Sequence, residues 1–317
     1  MPDKICRANF LSMKKSLEFI SLVFYVCCIF SCINQDNQTK QEMQAQQLKS
    51  VAVQGHRGDR GNFPENSIPG FLSAIKKGVE VIELDVVISK DHRVVVSHEP
   101  FMHHLYMLQP DGQPIPKAKE KSYNLYEMPY DSIRLFDAGS KGNEKFPQQQ
   151  AQKTYKPLLS DVIDSVENYI RHHDLKEVKY NIEIKSKPEE YNIYQPQPKE
   201  FVDLVMQVVN EKNIRDKVNL QSFDVQVLEV IYQNHPTVEI AYLVSEGTME
   251  ENLQKLSFQP EIYSPYYKLV TDSAFVKKVH QKGMKLIPWT VNEQQDIDRI
   301  KSLGVDGIIT DYPERAL

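Results

Sequence analysis

The chain has 317 residues, of which 41% are hydrophobic, 9% aromatic and 26% charged, a profile that excludes a disordered polar chain and provides for a sizeable buried core. Its formal net charge of −5 excludes a globally basic, nucleic-acid-seeking surface, although a local basic pocket can still hold a phosphate. All four cysteines, Cys6, Cys27, Cys28 and Cys32, precede residue 33, so no disulfide framework braces the rest.

From Met13 the sequence reads MKKSLEFISLVFYVCCIFSC: a basic pair, an apolar run, then Ser31 before Cys32. This is the layout of a secretory signal, and it resembles a bacterial lipoprotein signal with Cys32 as the lipidated residue. The apolar run, about 15 residues, falls short of the ~20 that span a bilayer, which argues against an uncleaved transmembrane anchor. The expectation is an exported protein of the cell envelope, with a signal over residues 1–32 and its membrane contact made through the N-terminal lipid. Residues 33–50, INQDNQTKQEMQAQQLKS, are Gln-rich and polar and read as a flexible tether to a folded domain over 51–317.

Apolar runs of strand length then recur at 51–53, 79–87, 93–98, 178–184, 218–222, 238–244, 261–264, 284–291 and 307–310. Helical periodicity lies between most of them: Ile68, Phe71, Leu72 and Ile75 before Gly78, then Val162, Ile163, Val166 and Ile170 behind Ser160 as N-cap, then 199–212, 224–234, 272–282 and 293–303, the last closed by Gly304. Strands alternating with helices predict βαβ units and a mainly parallel sheet, either an eight-stranded barrel or an open doubly wound sheet. No G-x-G-x-x-G opens the first helix, and reactive side chains end strands scattered along the chain. Both observations favour the TIM-type (β/α)8 barrel, whose closure brings all those ends to one mouth.

One connection breaks the alternation. The runs 79–87 and 93–98 lie too close for a crossover helix and predict an antiparallel hairpin. A two-residue turn at Lys90–Asp91 sets Glu83 opposite His98, whereas one at Asp91–His92 sets Asp85 there. The following segment, about 99–159, is polar and interrupted by proline, and reads as an insertion capping the mouth. His103–His104 within it reads as a solvated loop, and His172–His173 as the end of a helix; neither pair is assigned a metal.

Glu83 and Asp85 sit on one face of an otherwise apolar strand, ~7 Å apart at ~3.3 Å rise per residue, and Glu183 repeats the oddity in YNIEIKSK. Buried together they would repel without a cation between them. Three carboxylates make a hard, all-oxygen site suited to Ca²⁺ or Mg²⁺ rather than Zn²⁺. The alternatives are a solvent-facing strand end for the first two and an internal Glu183–Lys185 ion pair for the third. His56, which ends the first strand, and His98 supply two groups suited to proton transfer near neutrality, while Arg57 and Lys185 supply cations for phosphate oxygens. Together they fit in-line displacement at a phosphodiester.

The motifs HRG, PENS, ELDVVISKDHRVVVSHE, NIEIK, QSFD, PWTVN and DGIITDYP, in this order across residues 51–317, resemble those of the glycerophosphodiester phosphodiesterase family. The resemblance implies a TIM-type barrel that uses one divalent cation, Ca²⁺ or Mg²⁺, to cleave glycerophosphodiesters to sn-glycerol 3-phosphate and an alcohol. It implies His56 and His98 as the acid/base pair, Glu83, Asp85 and Glu183 as metal ligands, Arg57 and Lys185 as phosphate-binding groups, and Trp289 as a wall of the glycerol pocket. The chain departs from the family pattern at Ser67, usually Thr, and at Glu99, usually Asp, neither of which removes a proposed catalytic or metal group. Glu65 is expected to orient Arg57 or to line the mouth near the ion. No nucleic acid or protein partner is expected. Competing readings are a phospholipase C-type phosphodiesterase acting on lipids, a ligand-binding lipoprotein without catalysis, and a surface protein that works through the insertion.

Overall fold

The computed structural model describes residues 51–317; the signal with Cys32 and the tether lie outside them. Strands β1 (Ala52–Gly55), β2 (Val81–Ile88), β4 (Lys179–Ile184), β5 (Val218–Ser222), β6 (Glu239–Val244), β7 (Ile262–Pro265), β8 (Lys285–Leu286) and β9 (Gly307–Thr310) pair in parallel in the order β8-β7-β6-β5-β4-β2-β1-β9. The predicted eight-stranded barrel is therefore present, nearly closed. β8 is only two residues long, and Pro265 of β7 and Pro288 beyond β8 have no N–H to extend its ladders. Closure is completed just beyond it: Ile309 N donates to the carbonyl of Pro288 at 3.0 Å and Val291 N to that of Ile309 at 2.9 Å.

The helices are α1 (Ile68–Lys77), α2 (Tyr130–Ile133), α3 (Leu159–His173), α4 (Pro198–Glu211), α5 (Val225–Asn234), α6 (Met249–Leu253), α7 (Ser273–Gln281) and α8 (Gln294–Ser302). Ser67 caps α1 by accepting from Gly70 N, and Pro69 sits in the first turn, where it costs no hydrogen bond. Ser160 does not cap α3: the helix starts a residue earlier, after an extended Leu158 with no side-chain cap, which puts Ser160 inside its first turn. The periodicity missed the five-residue α6, which is too short for a stripe but carries a Thr248–Glu251 capping box. Apolar residues on alternate positions, such as Leu84 and Val86 on β2 and Tyr180 and Ile182 on β4, pack with Phe71, Val162, Phe201 and Val205 of the helices in one buried cluster. Among the described residues no helix is long and apolar enough to cross a membrane.

The hairpin partner of β2 is β3 (Val94–Val96), antiparallel, with Val86 opposite Val96 and Ile88 opposite Val94. Neither expected register occurs. The turn holds three residues, 90–92, closed by His92 in the left-handed region at φ 55°. Ser97 therefore faces Asp85, its N–H donating to the Asp85 carbonyl at 2.9 Å, and His98 lies beyond the ladder. β3 serves two layers at once. Val94 and Val96 belong to the barrel cluster, while Val95, with Val87 of β2, packs under Met102, Met107, Ile115, Leu125, Ile133 and Phe136. The insertion is thus a cap with its own apolar core.

Candidate active site

Glu83 and Asp85 project from β2, and Glu183 of β4 lies in register with Asp85. All three are buried, and they offer oxygens that lie within 4.8 Å of one another. Each has local support. Glu83 accepts from Gln221 Nε2 at 2.8 Å and from the backbone N–H of Arg57 at 2.9 Å. Asp85 accepts from Asn66 Nδ2 at 2.8 Å, and Glu183 from Lys185 Nζ at 2.7 Å. Burial, then the charges of Asp85 and Glu183, push the Glu83 carboxyl well above its ordinary range. Burial likewise lifts Glu183, against the opposing Lys185 charge, to about 7. Asp85 goes the other way: burial would raise it, but Arg57, His98 and Lys185 more than offset that and hold it ionised.

The residues fit a hard divalent cation. The donor set is all oxygen, and Asp85 Oδ1 is buried without a hydrogen-bond partner. The Glu183–Lys185 ion pair anticipated as an alternative is also present, so the Lys185 ammonium already provides one positive charge beside the trio, 3.8 Å from Asp85 Oδ1.

His56 and His98 each hand Nδ1 to a carboxylate, an arrangement that fixes the ring tautomer and leaves Nε2 for proton transfer. His56 Nδ1 is 2.6 Å from Asp311 Oδ1, and Asn292 holds the other Asp311 oxygen at 2.7 Å. His98 Nδ1 is 2.8 Å from Glu99 Oε1. Burial lowers both imidazoles below their ordinary value; for His98, with Arg57 and Lys185 adding to the effect, to about 4. Asp311 was missed by the sequence reading, although it stands in the quoted DGIITDYP, directly after β9 and therefore beside the residue that follows β1.

Arg57 occupies the left-handed region at φ 52°, sparsely used by residues with a side chain, and Gly58 follows at φ 87°. A side chain on Gly58 would meet the backbone of Gly70 at 2.8 Å, so only glycine allows this turn. The guanidinium donates to Glu65 Oε1 at 2.7 Å and lies 3.2 Å from Asp85; Glu65 Oε2 takes Arg60. Glu65 thus contacts Arg57, the first of its two anticipated placements. Asn66, next to the capping Ser67, turns its side chain to Asp85. Trp289 is half-buried; its Nε1 donates to the Ser264 carbonyl at 2.9 Å, and its ring packs perpendicular to that of Phe223, which is 39% exposed and lies 5.9 Å from Lys185 Nζ. Phe223 too went unassigned within its motif.

In the cap, His104 pairs with Glu120 at 2.6 Å and the His103 ring stacks with those of His104 and Tyr106, so this pair is half-buried rather than solvated. His172 and His173 direct Nδ1 to the Asn168 and Tyr169 carbonyls at the exposed end of α3.

The model of the glycerophosphoryl diester phosphodiesterase family matches residues 56–315. A glycerophosphodiester phosphodiesterase of Caldanaerobacter subterraneus subsp. tengcongensis is 30% identical over 267 residues, covering 84% of this chain and 96% of that protein. Among solved structures, a putative glycerophosphoryl diester phosphodiesterase of Silicibacter pomeroyi superposes with a TM-score of 0.76 at 28% identity, covering 85% of this chain and 92% of that one. An Oleispira antarctica phosphodiesterase in complex with the product sn-glycerol-3-phosphate superposes at 0.65 with 21% identity, covering 84% and 95%. A family match spanning nearly all of the described residues, on a barrel whose mouth gathers two carboxylate-held imidazoles and three buried carboxylates, places this chain in the glycerophosphoryl diester phosphodiesterase family.

Proposed function

We propose that the protein hydrolyses glycerophosphodiesters to sn-glycerol 3-phosphate and an alcohol with a divalent cation, Ca²⁺ or Mg²⁺, as cofactor. The observation that carries this reading is the convergence of His56–Asp311 and His98–Glu99 on a site containing Glu83, Asp85 and Glu183. The sn-glycerol-3-phosphate in the Oleispira antarctica relative supports the product. A cation held by Glu83, Asp85 and Glu183 would neutralise charge on a phosphodiester oxygen. Arg57 binds the phosphate through the part of its guanidinium turned to neither Glu65 nor Asp85, and Lys185 approaches the same group. One imidazole deprotonates the nucleophile and the other protonates the departing alcohol, each through Nε2 while its Nδ1–H stays on a carboxylate. Trp289, with Phe223, forms the apolar wall against which the glycerol carbons pack.

The test is product analysis with glycerophosphocholine, glycerophosphoethanolamine and glycerophosphoinositol, with and without EDTA. Release of sn-glycerol 3-phosphate that chelation abolishes supports the reading. Cyclic phosphate, or turnover of intact lipids alone, would replace it with a phospholipase C-type activity, and binding without turnover would end it. We further propose that the enzyme is exported and lipid-anchored through Cys32. Palmitate labelling that persists in Cys32→Ala would sink that part.

A further inference from the structure

The cap reaches the catalytic groups through two residues outside the family motifs. Lys156 is fixed on the cap's return segment, which pairs with β3: Val96 N donates to the Pro157 carbonyl at 2.8 Å and Val95 bridges Leu158. The Lys156 side chain is buried; its ammonium donates to Ser97 Oγ at 2.6 Å, and that hydroxyl donates to the backbone carbonyl of Glu99 at 2.6 Å. Tyr106 comes from an earlier stretch of the cap. Its hydroxyl donates to Glu99 Oε2 at 2.5 Å, and its ring centroid lies 5.7 Å from Lys156 Nζ. Glu99 therefore has one oxygen on His98 and the other on Tyr106, and its backbone is tied through Ser97 to Lys156. His98, Tyr106 and Lys156 also line one small cavity.

We propose that Tyr106 and Lys156 are positioning residues: they fix the Glu99 carboxylate and, through it, the ring orientation and tautomer of His98, so the cap completes the acid/base group instead of merely covering it. A carboxylate tied at one oxygen can rotate away from the imidazole, and an O–H donated to a charged acceptor removes that freedom more firmly than a neutral hydrogen bond would. The charge environment agrees. Burial would raise the Glu99 carboxyl, but the hydrogen bond and charge of His98, then Arg57 and Lys156, hold it well below the usual range, so Glu99 stays an acceptor for both neighbours.

The inference rests on the phosphodiesterase reading of the site, and its test separates the two. With glycerophosphocholine as substrate, Tyr106→Phe lowers kcat about tenfold with KM little changed, the scale of a hydrogen bond to a charged group. Glu99→Gln lowers kcat further, and the Glu99→Gln/Tyr106→Phe double variant is no slower than Glu99→Gln alone, because Tyr106 acts through Glu99. Lys156→Met also slows turnover and Lys156→Arg restores it, which keeps the proposal testable if Tyr106→Phe folds poorly. In the ligand-free protein, the ¹⁵N shifts of the His98 ring move toward mixed tautomers in Tyr106→Phe. Wild-type kcat in both Tyr106→Phe and Lys156→Met, losses that multiply in the double variant, or a change confined to KM would overturn it. If the wild type turns over no glycerophosphodiester, the phosphodiesterase reading falls, and the ¹⁵N comparison still decides the role of Tyr106.

Discussion

The two halves of the barrel interior use the same strand geometry and opposite chemistry. Toward β1, β2, β4 and β5 the inward face is a connected polar ladder: Asn181 Nδ2 donates to Gln54 Oε1 at 2.8 Å and to Gln221 Oε1 at 3.1 Å, Asn219 Nδ2 donates to Asn181 Oδ1, and Gln221 Nε2 donates to Glu83. Toward β6 through β9 it is apolar, with Ala241, Ile262, Ile287 and Ile309 packed together beside Trp289. Buried carboxylates need neighbours that satisfy their oxygens; the neutral amides of Gln221 and Asn66 do so for Glu83 and Asp85 without cancelling charge, while Glu183 takes the Lys185 ammonium. The apolar half has no such duty and contributes packing. The carboxylates thus gather on one side of the barrel, while the other side adds its site groups, Trp289 and Asp311, only beyond its strand ends.

Substitutions on each side sharpen or break that division. The largest effect is expected from Glu83→Gln, which removes a charge from the carboxylate trio while keeping its shape and one of the two acceptor oxygens that Gln221 and the Arg57 N–H use. Activity falls at least ~100-fold and thermal melting loses its response to added Mg²⁺ or Ca²⁺, whereas the melting point without metal hardly changes. A metal response like that of the wild type would break the assignment. Next come the imidazoles: His56→Ala and His98→Ala each lose about 10²–10⁴-fold in kcat, and Asp311→Asn lowers kcat with little effect on KM. Near-normal turnover in both His variants would end the acid/base assignment.

On the apolar side the pattern inverts. Ile309→Ala costs about 2–5 kcal/mol in denaturant unfolding yet leaves kcat within severalfold of wild type. A catalytic loss comparable to that of Glu83→Gln would show that the packing of this half also sets the geometry of the site.

The smallest effect is a pH slope in stability. His98 titrates near 4 in the fold, below the 6.5 of a free imidazole, because burial and the nearby Arg57 and Lys185 charges disfavour its protonated form. Between these values the unfolded chain binds the proton and the folded one does not, so the contribution is complete above pH 6.5 and is lost as pH falls toward 4. Denaturant midpoints measured across that window decline less steeply in His98→Gln than in the wild type; parallel slopes would remove His98 from the account.

Much of this organisation was legible in the chain because it is local. Alternating apolar runs marked the strands, and the carboxylates on β2 and β4 stood out against them. What escaped was decided at a distance or by one backbone angle. Asp311 meets His56 only after 255 residues of barrel have closed, and Tyr106 and Lys156 meet Glu99 only once the cap has folded. The hairpin register depended on His92 taking a positive φ, which extends the turn by one residue and replaces the partner of Asp85.

The double duty of β3 also limits how the cap can be handled. Because Val87 and Val95 form the floor of the cap's core while their neighbours on the same strands belong to the barrel, the insertion has no seam at which it detaches. A truncation spanning 99–159 would strip cover from that floor and take Glu99 with it, so an inactive deletion variant would say nothing about what the cap recognises. Exchange with a relative's cap should carry the hairpin along, and shortening is best confined to the exposed tip near Asp111–Gly112.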